Sequence, residues 1–114
     1  MSETNHVVRS ARIFDRGQST GDTTLTGRAE KCWRWAEQQG LDVVEEHVAW
    51  GASAELPKPP ELVEAVEHCA VECSTLIVYS IGVISDDPDV IDWVRREMGP
   101  LPISEVVASK DGAK

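Results

Sequence analysis

Three serines, Ser19, Ser53 and Ser85, stand in polar stretches of the chain. A serine hydroxyl attacks only when a base takes its proton, and no base is placed beside any of them by spacing. Glu64, His68 and Glu72 recur every four residues and share one helical face, while Cys69 and Cys73 share another. Successive residues turn about 100° around a helix, so the two sets diverge and no metal site is expected. Cys69 and Cys73 read as core, His68 as surface, and no cofactor is implied. His6 and His47 belong to no cluster. Gly17-Gln-Ser-Thr-Gly21 lacks the lysine of a nucleotide-binding phosphate loop and does not fit Gly-x-Gly-x-x-Gly.

The tryptophans offer a different chemistry, stacking and partner contact. Trp33 and Trp93 lie beside apolar helical stripes and read as core or rim, whereas Trp35 and Trp50 are harder to bury. Trp50 falls in a loop at the carboxyl end of a strand, where open α/β sheets place their binding crevice. Trp35 and Trp50 are therefore the interaction candidates.

These residues need elements to hold them, and apolar runs of strand type alternate with segments of helical period. Residues 7–14 read as a first strand and 15–24 as a polar loop, in which Asp15 and Arg16 cap and solvate the chain. A helix begins near Thr24 with a stripe of Leu25, Ala29, Cys32, Trp33 and Ala36, and Gly40 ends it. Residues 41–48 mix valines with Glu45, Glu46 and His47, the pattern of a charged edge strand. Ala49 to Pro60 is a loop. Pro59-Pro60 opens a second helix carrying Leu62, Val66, Cys69 and Cys73, and Thr75-Leu-Ile-Val-Tyr79 is a buried central strand. A third helix carries Val90, Ile91, Val94 and Met98, acids at its start and Arg95 and Arg96 near its end, and stops at Gly99-Pro100. Residues 103–108 add a fourth strand. The expected fold is α/β, a three-layer, mainly parallel four-stranded sheet of order 2-1-3-4 flanked by helices.

Length and charge bound the function. The 114 residues suit one domain, with a core over about 7–108 and loosely held polar ends at 1–6 and 109–114. The net charge of −9, from 11 Lys and Arg against 20 Asp and Glu, argues against direct DNA binding, which depends on clustered cations. Three cysteines form an odd set and read as reduced, mostly buried thiols. The absence of a long apolar run or a basic-then-apolar start leaves a cytoplasmic location, with no membrane contact, as the expectation.

Several segments, in order from about Val7 to Val107, resemble the catalytic domain of the serine recombinases, the resolvase and invertase family. The helix of 24–40 with Leu41-Asp-Val-Val-Glu-Glu-His-Val48 is similar to a family helix ending aromatic-Ala-Glu-x-x-Gly before a Val-Val-Glu-Glu strand. Gly51-Ala-Ser53 resembles the Gly-x-Ser that follows, and Pro60-x-Leu62 the Pro-x-Leu that opens the next helix. Tyr79-Ser-Ile-Gly-Val-Ile-Ser-Asp-Asp87 looks like Tyr-Ser-Leu-Asp-Arg-Leu-Ser-Arg-Asp with both arginines gone. Ser10-Ala-Arg-Ile-Phe-Asp-Arg-Gly-Gln18 matches the end of the family's first strand, Tyr-x-Arg-Val-Ser-Thr-x-x-Gln.

The resemblance thus implies a family site at Arg12, Phe14, Gln18, Ser53, Pro59, Val83 and Asp86 that has lost its catalytic groups. Phe14 replaces the nucleophilic serine and has no oxygen to activate. Val83 and Asp86 replace the phosphate-neutralising arginines, Pro59 replaces another arginine, and Ala49 an acid. Arg12 remains, read as structural or solvated more readily than as a phosphate ligand. The expected function is a catalytically inactive recombinase-like domain working by protein–protein interaction or self-association, in regulation of a recombinase or a mobile-element process. A small-molecule or nucleotide-binding domain, and a residual recombinase or nuclease, are the alternatives.

Overall fold

The computed structural model describes residues 9–17 and 23–107, and of residues 23–26 the backbone alone. Strand β1 (Arg9–Gly17) leads to helix α1 (Thr23–Gln38), β2 (Leu41–Trp50), a single 3₁₀ turn (Ser53–Glu55) and α2 (Pro60–Glu72). The core strand β3 (Thr75–Val78), a one-turn helix α3 (Ile81–Ile84), α4 (Pro88–Met98) and β4 (Ile103–Glu105) complete the order. All strand pairs are parallel and the sheet runs β2-β1-β3-β4, the order that right-handed crossovers impose on this alternation.

Period-two alternation along β1 divides the core between two faces. Ala11 and Ile13, with Ile77, pack against Cys32 and Ala36 of α1. Phe14, with Leu76 and Val78, packs on the other face against Leu62, Val66 and Cys69 of α2 and Val90, Val94 and Met98 of α4. All four residues of β3 are buried, consistent with a run that is apolar but for Thr75.

The helix ends follow local chemistry. Pro60 sits in the first turn of α2, where its missing N–H costs nothing. Asp87 caps α4 by accepting from the amide of Asp89 at 2.9 Å. Gly40 and Gly99 take the positive φ that ends α1 and α4, but at the end of α2 the left-handed residue is Cys73, with φ 59°. The amide of Ser74 reaches back to the Cys69 carbonyl at 3.0 Å to close that turn.

Several boundaries differ from the sequence expectation. β1 continues through Asp15, Arg16 and Gly17, which were expected in a loop, because β2 extends as well and pairs with them out to Trp50. Trp50 is thus the last residue of a strand. Tyr79 lies past the end of β3, and residues 81–84 form a helical turn that apolar periodicity did not reveal in so short a run. β4 stops at Glu105, Val106 and Val107 are helical, and Ala108 lies outside the described residues. Cys73 is exposed rather than core, since the left-handed turn swings it off the apolar stripe. The tryptophans of α1 exchange places: Trp33 is 45% exposed over the sheet edge, while Trp35 packs against the Cys32 and Ala36 cluster. Leu25 as a side chain, His6, Gln18, Ser19 and both chain ends lie outside the described residues.

Candidate functional site

β1 lifts Arg12, Phe14 and Arg16 toward the face covered by α2 and α4, at successive steps along the strand. Phe14 is completely buried in the middle of that core. Its ring lies 5.7 Å beneath the Arg16 guanidinium, which stands at the carboxyl end of the sheet.

Arg16 gathers the two walls of that end. Its Nε donates to the Val83 carbonyl at 2.6 Å, and Nη1 donates to the carbonyls of Ala54 and Leu56, each at 2.7 Å. Nη2 donates to the Pro57 carbonyl at 3.2 Å and to that of Ile84. A guanidinium has five N–H donors, so main-chain oxygen saturates it. Burial lowers the Arg16 pKa from its usual value, and the charge of Asp86 partly opposes that shift. Around it opens a cleft of about 430 Å³ whose walls include Glu55, Gly82, Ser85, Asp86 and Asp87. Among the described residues lining it, Arg16 carries the one positive charge, against three carboxylates.

On the opposite face of β1, Asp15 is buried and receives Arg28 of α1, with Nη2 at 3.0 Å and Nε at 3.2 Å. Arg28 also donates to the Arg16 carbonyl at 2.7 Å, so α1 is tied to the same strand end.

Arg12 belongs to a second cluster, nearer the amino ends of the strands. It makes a two-pronged contact with Glu72, Nε to Oε1 at 3.1 Å and Nη2 to Oε2 at 2.8 Å, and its Nη1 reaches Glu45 at 2.9 Å. The Glu72 contact raises the Arg12 pKa against its burial, and the same contact lowers that of Glu72. Nη1 also lies 2.9 Å from Nε2 of buried His47. Arginine only donates, so Nε2 accepts and the ring proton sits on Nδ1, which faces Glu64 at 3.3 Å. The His47 ring stacks beside that of His68, with centroids 6.3 Å apart. His47 therefore does have a constellation, one that spacing hid because its members come from β1, β2 and α2. Among the described residues, no three His, Cys, Asp or Glu side chains are placed to hold a metal ion.

The positions suggested by family resemblance are only partly brought together. Val83 and Asp86 meet at the cleft, Val83 through its carbonyl and Asp86 as an exposed acid on the wall. Pro59 is buried at the entrance to α2. Ser53 donates to Glu61 at 2.6 Å, a tie between the 3₁₀ turn and α2, and Ser85 accepts the amide of Asp87 at 3.0 Å. Ala49 is buried in the core. Arg12 stands away from this end of the sheet, and Phe14 lies beneath Arg16 but is sealed in the core.

β1 ends at Gly17, so Arg16, read from the sequence as a solvated loop residue, stands at the carboxyl end of the sheet beside the cleft, while Arg12 stands four residues earlier in the other cluster.

No family model matches the chain, and no curated protein matches it. Among solved structures, the chain is similar to the N-terminal catalytic domain of TP901-1 integrase, with a TM-score of 0.64 and 19% identity over 83% of this chain and 73% of that one. The parallel sheet of order β2-β1-β3-β4 with its flanking helices is therefore a resolvase-like fold, that of a recombinase catalytic domain.

Proposed function

We propose that this chain is a recombinase-like domain that does no phosphodiester chemistry and acts through contact with other proteins, in regulating a recombinase or another assembly. The observation that carries the reading is the state of Arg16. A catalytic arginine must offer N–H groups to phosphate oxygens in the transition state, and this one has all five directed at carbonyls. Glu55, Asp86 and Asp87 around it would repel an incoming phosphate. Setting the family's Tyr-x-Arg at the end of β1, on Phe14-Asp15-Arg16, puts Gln18 at the nucleophile position, and glutamine, like the Phe14 of the first match, has no hydroxyl to attack phosphorus.

The test uses the whole chain with supercoiled plasmid. No relaxation, nicking or denaturation-resistant protein–DNA adduct is expected, and an adduct through Ser19 or any other hydroxyl overturns the reading. The same cleft argues against nucleotides as ligands. Thermal unfolding in the presence of ATP or GTP is expected to show no stabilisation, and a saturable rise in Tm with either would favour a nucleotide-binding domain instead.

A further inference from the structure

Three of the exposed large apolar groups, Trp33, Val44 and Trp50, gather along one edge of the sheet, while Leu56 lines the cleft at Arg16 and Val71 stands apart on α2. β2 is an outer strand, ten residues long, and among the described residues no strand pairs with its free side. Every second residue of such a strand turns its N–H and C=O away from β1. On the α1 side of this edge, Trp33 is 45% exposed and its indole N–H contacts Glu46. Alternation from Glu46 brings Trp50, 37% exposed, onto the same side. Val44, 46% exposed, is the extra residue of a bulge, since Ala11 pairs with Val43 and Arg12 with Glu45. A cleft of about 530 Å³ runs between α1 and the start of β2 beside Trp33.

The charges along this strip select its occupant. Glu30, Glu37 and Asp42 line the cleft with Arg34 as their counter-charge, and Glu46 continues the acidic line along β2. A second copy of the chain adding its own β2 here would set Asp42, Glu45 and Glu46 against like charges, an arrangement that destabilises strand pairing. A lysine- or arginine-rich strand meets the opposite situation. Its main chain would find the unpaired groups of β2, its cations the acids, and its alternate apolar side chains Trp33 and Trp50.

We propose that the free edge of β2 is a docking site for a basic, extended segment of another protein, which adds as a fifth strand beside Trp33 and Trp50. This rests on the reading of the chain as an interaction domain and names the chemistry of its partner. It also gives the acids of β2 a second consequence: they discourage self-pairing while attracting a basic strand.

The test titrates the isotope-labelled chain with a peptide of alternating lysine and valine, about eight residues long, and follows backbone amide resonances. Saturable shifts confined to β2 and the facing part of α1 are expected, weakening as salt rises. The double variant Asp42→Lys, Glu46→Lys should lower the affinity about tenfold or more, while Glu97→Lys, an exposed change on α4, should leave it unchanged. An alternating glutamate–valine peptide should not bind. Equal binding by a lysine–glycine peptide, shifts centred elsewhere, or indifference to the double variant each overturns the proposal. Its failure leaves the non-catalytic reading standing, because that reading falls to DNA cleavage and not to this titration.

Discussion

Arg12 and Arg16 leave the same face of the same strand four residues apart, yet they are held in opposite ways. Arg12 is surrounded by side chains that carry charge: Glu72, Glu45 and the imidazole of His47. Arg16 is surrounded by main chain, the carbonyls of residues 54, 56, 57, 83 and 84. The pKa shifts follow, raised for Arg12 by the Glu72 contact and lowered for Arg16 by burial. An arginine fixed by carboxylates is sensitive to their protonation. An arginine fixed by carbonyls is indifferent to acid in that range and serves as a cross-brace.

The largest effect expected from this contrast is that of Arg16→Ala. It strands carbonyls whose positions are set by the backbone, at a cost of about 2–4 kcal/mol, read as a lower urea midpoint. Arg16→Lys should recover only part of the loss, because an ammonium has three donors in place of five. Arg12→Ala should cost less, about 1–2 kcal/mol, since the side chains of Glu72 and Glu45 are 37% and 57% exposed and can turn to water. Equal losses at the two positions would break the distinction between a main-chain brace and a side-chain ion pair.

Acidification separates the two further. Glu72 has its pKa held below its ordinary value of 4.5, chiefly by the Arg12 contact. Its contribution is therefore present above that value and is lost as pH falls through the lowered one. Stability measured below about pH 4.5 should fall less steeply in Glu72→Gln than in the parent, with Arg12→Ala giving the same flattened profile. Arg16→Lys should keep the parent slope.

What the sequence disclosed and what it hid divide along the same line. The strand–helix alternation and sheet order were legible because they depend on apolar period and crossover handedness, both local or general properties. The end of β1 was not, because Asp15, Arg16 and Gly17 look like loop residues. They are strand because β2 pairs with them out to Trp50, while Arg28 and carbonyls 38 and 67 residues away satisfy the side chains of Asp15 and Arg16. His47 was passed over for a similar reason: its neighbours Arg12 and Glu64 meet it only after folding. Of the positions named by the family resemblance, Val83 and Asp86 meet at the cleft, while Arg12 stands in the other cluster with Glu72 and Glu45. Trp33 shows the limit of stripe counting, since α1 lies over an edge strand and one side of its stripe overhangs solvent.

Thiol chemistry gives a local probe of the Arg12 end. Burial pushes the Cys32 and Cys69 thiols up to about 12, whereas Cys73 is exposed. A thiol reagent at neutral pH should therefore label Cys73 first and the other two only on opening. Cys69 lies on α2 one turn before Glu72, so Arg12→Ala should speed its labelling more than Arg16→Lys does. Equal acceleration of Cys69 and Cys32 would mean global opening, and would remove the local role given to the Arg12 cluster.

The smallest expected effect is a gain. Cys73 closes α2 in the left-handed conformation, φ 59° and ψ 45°, where a side chain crowds the backbone and glycine does not. Its side chain is exposed, so removal forfeits little packing. Cys73→Gly should stabilise the chain by about 0.5–1 kcal/mol, although glycine adds freedom to the unfolded chain and offsets part of the gain. Because α2 carries Glu72 into its contact with Arg12, a firmer end to the helix should also lower the exchange rate of the Ser74 amide, which closes the turn on the Cys69 carbonyl. The amides of residues 83 and 84 should not change. A gain confined to the Arg12 end would separate the two braces energetically; slower exchange at both ends would show that they open together.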